Sequence, residues 1–209
     1  MPKNRLTFHT VRELDGELEQ AMQLFVETFK TETITALTYN FTKQSTTKLF
    51  YEASLLNAKV YLAQGNDIII AKIDKEIVGV ASIKKEGKIS FIHLLKIIFP
   101  EAFKLLPLLS KIRYKNATAL AKSMRLSKPI QEKSITLSTI AVSANYRGKG
   151  IGKQFLNEIH QYYKKDFAAV YLYTADKKNK EIYSRAGYKL IEHKQMKKYD
   201  MYHMLYLLK

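Results

Sequence analysis

At 209 residues with 46% hydrophobic content, the chain is long enough to bury a sizeable core, and its length suits one domain carrying an insertion. Its 35 Lys and Arg against 19 Asp and Glu give a net charge of +16, which points to an anionic ligand, yet the basic residues are spread along the chain in short clusters without a single-sign tail. With no cysteine, disulfides, thiolate metal sites and a cysteine nucleophile are excluded, no metal site is expected, and a charged start that runs straight into an alternating segment argues for a cytoplasmic protein.

Residues 6–11 alternate like a half-buried strand, and Asp15 then precedes Leu18, Met22, Phe25 and Phe29 at helical spacing. A polar stretch over 31–47 is followed by a second helical face on Leu49, Phe50, Ala53, Leu56 and Val60. Residues 68–73 and 77–83 are apolar strands about the turn Asp74-Lys75-Glu76, which makes an antiparallel hairpin. Residues 87–129 are an insertion, because helical patterns broken by Pro100 and Pro107 replace the strand rhythm on both sides. Its most apolar part is interrupted by His93, Lys96, Glu101 and Lys104, so it does not span a membrane and is expected to pack over a cleft or form a contact with a second copy of the chain.

The strand rhythm returns at 135–142, then come a glycine-rich turn and a helix carrying Phe155, Leu156, Ile159 and Tyr163. A strand at 170–173, a short helix at 179–185 closed by Gly187, and strands at 188–191 and 201–208 complete the chain. The expected fold is α/β in the mixed α+β sense: a central, mostly antiparallel sheet flanked by helices, formed by one domain over 1–209.

The run Arg147-Gly148-Lys149-Gly150-Ile151-Gly152-Lys153 carries the chemistry. Glycines between a strand and a helix let backbone amides turn inward, and the new helix adds unsatisfied N–H groups and the positive end of its dipole, so the turn suits a pyrophosphate. A phosphate loop of the nucleotide triphosphatase kind requires a longer glycine spacing and a Lys-Ser/Thr pair, both absent. A dinucleotide fold has a tempting acidic partner in Asp176, but the third glycine is misplaced and the preceding hairpin is antiparallel.

The turn resembles the acetyl-CoA motif of the GNAT superfamily, an Arg or Gln followed by x-x-G-x-G, matched here by Arg147, Gly150 and Gly152. Downstream, Asn179, Tyr183 and the pair Gly187-Tyr188 resemble the next motif of that family in order and separation. The helical insertion before the motif strand is similar to that of a subset of these enzymes. The resemblance implies acetyl-CoA as cofactor, with strand residues Ile140, Ala141 and Val142 along the pantetheine arm, the 147–153 turn on the pyrophosphate, and Asn179 contacting the cofactor. It implies direct attack of an amine on the thioester, with Tyr183 directing its hydroxyl at the sulfur.

Each assignment has a plainer counterpart: Tyr183 as a packing aromatic, Asn179 as a helix cap and Arg147 as a solvated loop residue. Many relatives carry a glutamate on the motif strand. Here Glu132 lies just before it and is the leading candidate for the general base, with Ser138 and Thr139 as water-holding hydroxyls. Glu32 is the candidate for attracting a cationic acceptor, whereas Glu27 reads as a surface acid. An N-acetyltransferase acting on a primary amine of a small molecule or peptide is the first reading. A catalytically silent acetyl-CoA sensor and, less favoured, a nucleic-acid-binding module are the alternatives, and a homodimer fits the insertion.

Overall fold

Local capping sets the first helix. The Asp15 carboxylate accepts from the Leu18 amide at 2.8 Å and starts α1 (Gly16–Phe29), whose Leu18, Ala21, Met22 and Val26 are buried. In a computed structural model of the chain, residues 5–42, 44–85, 87 and 89–209 are described. They form β1 (Leu6–Val11), α1, α2 (Thr33–Thr38), α3 (Gln44–Ala63), β2 (Asp67–Ile73), β3 (Glu76–Lys84), α4 (Phe91–Leu109), α5 (Tyr114–Ser123) and β4 (Ser134–Val142). After a single 3-10 turn follow α6 (Ile151–Tyr163), β5 (Ala169–Thr174), α7 (Lys177–Arg185), β6 (Lys189–Gln195) and β7 (Asp200–Leu207).

The strands make one seven-stranded sheet in the order β1-β2-β3-β4-β5-β7-β6, antiparallel throughout except for β4 beside β5. This is the mixed, mostly antiparallel α/β architecture that the sequence predicts. Period-2 alternation sends side chains to both faces. Ile135, Leu137, Val170 and Leu172 meet Phe155 and Ile159 of α6 on one face, while Ile68, Ile70, Val80 and Ala141 meet Leu18, Met22 and Ala58 of α1 and α3 on the other. Burying five or six such side chains of a helix against a sheet stabilises the fold by about 1.5–3 kcal/mol each before the chain-entropy cost. Tyr163 at the end of α6 donates to the buried Asp67 carboxylate, which also receives Lys85 at 2.9 Å, so the helix is pinned to the start of β2.

Two elements differ from the sequence reading. The polar stretch contains α2, a helix of six residues capped by Glu32. Instead of helices broken at the prolines, α4 runs unbroken through Pro100 and Pro107. Both prolines are exposed and seven residues apart on one side of the helix, so the carbonyls of Lys96 and Phe103 that lose their N–H partners face water.

The insertion packs as two pieces. α4 lies on α3, joined by Lys59 to Glu101 at 3.2 Å. α5 is tied to α2, with Arg113 donating to the Ala36 carbonyl at 3.0 Å and Asn116 to the Leu37 carbonyl at 2.6 Å. Among the described residues no helix is long and apolar enough to cross a membrane.

Candidate cofactor and acceptor site

β4 and β5 pair only at Ser134 with Ala169, Ile135 with Val170 and Thr136 with Tyr171. β4 continues for six residues to Val142 while bonded to β3 alone, through Gly79 with Val142, Val80 with Ala141 and Ala81 with Ile140. The right-handed twist carries the two parallel strands apart, and the β5-facing amides and carbonyls of Ile140 and Val142 are left without a strand partner, while Ala141 between them faces β3. The V-shaped opening implied by the motif resemblance is therefore present, and these three residues lie along it.

The glycine turn closes the open end of the V. Gly148 and Gly150 have φ of +77° and +79°, a left-handed conformation that costs an L-residue roughly 1–2 kcal/mol. A Cβ at either would meet no protein atom within 4 Å, so the demand for glycine here is conformational. Gly150 opens α6 without any side-chain cap. The Gln154 amide is the first to bond back, to the Gly150 carbonyl at 3.0 Å, so the amides of Ile151, Gly152 and Lys153 have no helical acceptor. That free first turn, with the helix dipole behind it and Lys149 and Lys153 exposed beside it, is suited to an anion.

The turn is held from outside: Arg147 Nε donates to the Val142 carbonyl at 3.3 Å, Tyr146 donates to Glu76 at 2.6 Å, and Lys149 lies 4.6 Å over the Tyr146 ring. Arg147 thus orders the turn in addition to offering charge.

The second motif sits across the opening. Asp176, and not Asn179, caps α7: its carboxylate accepts from the Lys178 amide at 2.7 Å and the Asn179 amide at 3.4 Å. Asp176 is thereby occupied as a cap, and the Asn179 side chain is released from that duty. Tyr183 is half-buried and packs edge-on against Tyr188 at 5.7 Å. Burial and then the nearby Glu32 carboxylate push the Tyr183 hydroxyl above its ordinary pKa, so it is protonated throughout the neutral range. Glu32 caps α2 through the Ile34 amide at 3.0 Å and is half-buried, and burial raises its carboxyl, with Asp176 adding to the rise. The fold therefore brings Glu32 at the start of α2 beside Asp176 and Tyr183 of α7, two distant parts of the chain.

Glu132 is the exception. The Ala168 amide still bonds the Lys133 carbonyl at 2.8 Å, so the chain there runs beside the beginning of β5, at the closed end of the V. From Glu132 to Ser138 is roughly 20 Å along a strand, beyond the reach of a carboxylate. The structure does not bring Glu132 to the other candidates; it is exposed and lines a separate depression with Ile191 and Glu192.

What the sequence did not reveal is a β-bulge. Thr139 pairs with Ser82 and Leu137 with Ile83, so Ser138 is the extra residue. The bulge turns Ser138 and Thr139 to the same side, where both line a cavity of about 200 Å³ against α1 and α3. Tyr61 of α3 meets the Ser138 hydroxyl at 3.0 Å. On the same face of β5, the Tyr171 hydroxyl lies 2.6 Å from His203 Nδ1, and His203 Nε2 lies 2.9 Å from the Ser123 carbonyl. A carbonyl only accepts, so Nε2 carries the proton of the neutral ring and Nδ1 accepts from Tyr171.

A splayed parallel pair in an otherwise antiparallel sheet, closed by an uncapped glycine turn, defines a protein that holds an extended, anion-headed ligand between two strands. The sequence matches the model of the Acetyltransferase (GNAT) family over residues 20–188, and the chain belongs to that family. Comparison with curated proteins finds no match. Among solved structures, the chain is similar to histone acetyltransferase HPA2 and related acetyltransferase from Corynebacterium glutamicum, with a TM-score of 0.64 and 18% identity over 95% of each chain. It is also similar to yncA of Salmonella typhimurium, solved with acetyl-CoA, at TM-score 0.53 and 12% identity, covering 98% of this chain and 94% of that one. A GNAT family acetyltransferase from Elizabethkingia anophelis with acetyl-CoA bound gives 0.51 and 14%, covering 99% of each. At these identities the likeness is one of fold.

Proposed function

We propose that this protein is an N-acetyltransferase that moves the acetyl group of acetyl-CoA to a primary amine by direct attack, in the cytoplasm and as one domain. The observation that carries this reading is the coincidence of the β4–β5 opening with the uncapped turn at its mouth. The residues fit the cofactor: free amides from Ile151 to Lys153 take the pyrophosphate, the open edge at Ile140 to Val142 takes the arm, and Asn179 contacts it from the other side. When bound, acetyl-CoA supplies the acyl group as a reactive thioester.

The chain's own residues handle protons and position. The half-buried Glu32 favours an approaching ammonium. Ser138, bonded to Tyr61, and Thr139 offer hydroxyl oxygens at the bulge through which the ammonium proton leaves to water. Tyr183, protonated at neutral pH, would present its hydroxyl to the thioester sulfur, which leaves as the CoA thiolate once the amine nitrogen has added to the carbonyl carbon. Its raised pKa makes complete proton transfer unfavourable, so its contribution is a hydrogen bond that strengthens as charge grows on sulfur.

Release of free CoA thiol from acetyl-CoA over a panel of amines tests the reading. Turnover that falls by about 10²–10⁴-fold in Tyr183→Phe, with acetyl-CoA affinity kept, supports it. Binding of acetyl-CoA with no acetylation of any amine identifies a sensor instead.

We also infer that the protein pairs with a second copy through α4. Phe91, Ile92, Leu95, Phe99, Phe103, Leu106 and Leu109 form an exposed stripe along its outer side, with Phe91, Phe99 and Phe103 about 70% exposed. From such fractions, and ~150–200 Å² for each large side chain, the stripe offers roughly 750 Å². A stable dimer buries about 800 Å² per partner.

A further inference from the structure

We infer that the acceptor is a compact amine with an uncharged aromatic or aliphatic body, a one-ring arylalkylamine in size, seated in the cavity beside the β4 bulge. This rests on the acetyl-transfer reading and goes beyond it by naming the substrate class.

Four observations carry the inference. First, one wall is aromatic: Phe25, Tyr39 and Phe50 form a continuous surface, with Tyr39 and Phe50 ring centroids 5.1 Å apart and those of Phe25 and Phe50 6.2 Å apart. Second, no Asp, Glu, Lys or Arg is among the residues lining the cavity. A second ammonium, as in a polyamine, or a carboxylate, as in an amino acid, finds no counter-charge there and loses its hydration on entry. The net charge of +16 adds a long-range penalty for any polycation.

Third, the size suits one ring. An apolar cavity of ~150 Å³ accepts a benzene ring, so about 200 Å³ takes a ring with a short aliphatic arm. Fourth, β4 brings an unpartnered hydroxyl to the wall, opposite the Ser54 and Asn57 side of α3. Among the described residues, only Thr46 Oγ1 and Thr139 Oγ1 are buried side-chain polar atoms without a hydrogen-bond partner, and Thr139 lies in this cavity's wall on β4. With Ser138 and Tyr61 beside it, that orphan hydroxyl is a ready partner for an amino group delivered next to Ile140 to Val142. The ring packs against the aromatic wall while the nitrogen meets the hydroxyls and the open edge of β4.

The experiment measures kcat/KM by thiol release for phenethylamine, ethylamine, spermidine and an N-acetylated lysine peptide, with thermal stabilisation by acetyl-CoA recorded alongside. Phenethylamine is expected to exceed spermidine and the peptide by at least about tenfold, in the range that pocket contacts of a few carbons provide. Ala53→Leu, which fills the cavity from α3, is expected to lower the ratio of phenethylamine to ethylamine by at least about tenfold. Thr139→Val, equal in shape and lacking only the hydroxyl, is expected to raise KM for phenethylamine in a folded protein. Preference for spermidine or the lysine peptide, or an unchanged ratio in folded Ala53→Leu, overturns the inference and leaves acetyl transfer standing. Stabilisation by acetyl-CoA without acetylation of any amine overturns both.

Discussion

His160 makes the stability of this fold dependent on pH in a direction that the structure specifies. The residue lies on the sheet-facing side of α6, 7% exposed, with Nε2 2.9 Å from the Tyr188 hydroxyl and its ring stacked 3.8 Å from that of Tyr206. Burial lowers its pKa from the ordinary 6.5 to about 4. Between those values the unfolded chain takes up a proton that the folded chain refuses. The contribution is therefore intact above pH 6.5 and is lost as the pH falls towards 4. At 1.36 kcal/mol per pH unit the full difference is roughly 3 kcal/mol, and residual solvent screening brings it to about 2 kcal/mol. Against a typical stability of about 5–15 kcal/mol this is a measurable share. His160→Gln keeps an amide group near the Tyr188 hydroxyl and does not titrate in this range. Urea unfolding of both proteins at pH 7 and pH 4 is the assay. The parent should lose about 2 kcal/mol more than the variant over that interval, while the buried His203 and the carboxylates are common to both and cancel. Equal losses would refute the reasoning.

Gly150→Val places a branched side chain at a φ of +79°, so it should destabilise the fold by about 1–2 kcal/mol in thermal unfolding. Because its Cβ meets no protein atom, the larger effect should be weaker acetyl-CoA binding by calorimetry, and full affinity in a folded variant would contradict the backbone cradle. Asp176→Ala removes the cap of α7 and should cost about 1 kcal/mol in urea unfolding, with Asn179 unable to take over the role. Glu132→Gln should leave kcat within about twofold at all pH values, since a base distant from the thioester has no part in the 10²–10⁴-fold of proton-transfer catalysis; loss of the pH-rate profile's acid limb would restore it as the base. Phe103→Glu should convert a dimer to a monomer in sedimentation, and a parent that is already monomeric at high concentration would remove the α4 contact.

The sheet and its helices were legible because most of their signals are local. Alternation at β1, the apolar runs of β2 and β3 about their turn, the Asp15 cap and the left-handed glycines at 148 and 150 each act over a few residues. α2 was hidden because it is six residues with two buried threonines and no apolar stripe, and its cap is a glutamate doing a job that Ser, Thr, Asp or Asn usually does. The unbroken α4 depended on both prolines facing solvent, which the spacing of seven allows but which no local rule requires.

For the site, the motifs pointed to the turn, Asn179 and Tyr183, and chain position pointed to Glu32 and Glu132, of which Glu132 lies apart from the rest. Glu132 precedes the motif strand by two residues, but whether that end of β4 is open or closed is set by its pairing with β5. The cavity beside the bulge was out of reach of sequence reasoning because it joins Phe25, Tyr39 and Tyr61 to Ser138 and Thr139 from the far side of the insertion, and because a bulge of one residue leaves no pattern in the sequence.

A structure of the protein crystallised with acetyl-CoA tests the central claim most directly. The pyrophosphate should lie on the amides of Ile151, Gly152 and Lys153, with the arm bonded to the β4 edge at Ile140 to Val142 and the acetyl group directed at the cavity beside Ser138 and Thr139. A cofactor seated elsewhere, or one whose acyl end faces Glu132 at the closed end of the β4–β5 pair, would contradict it.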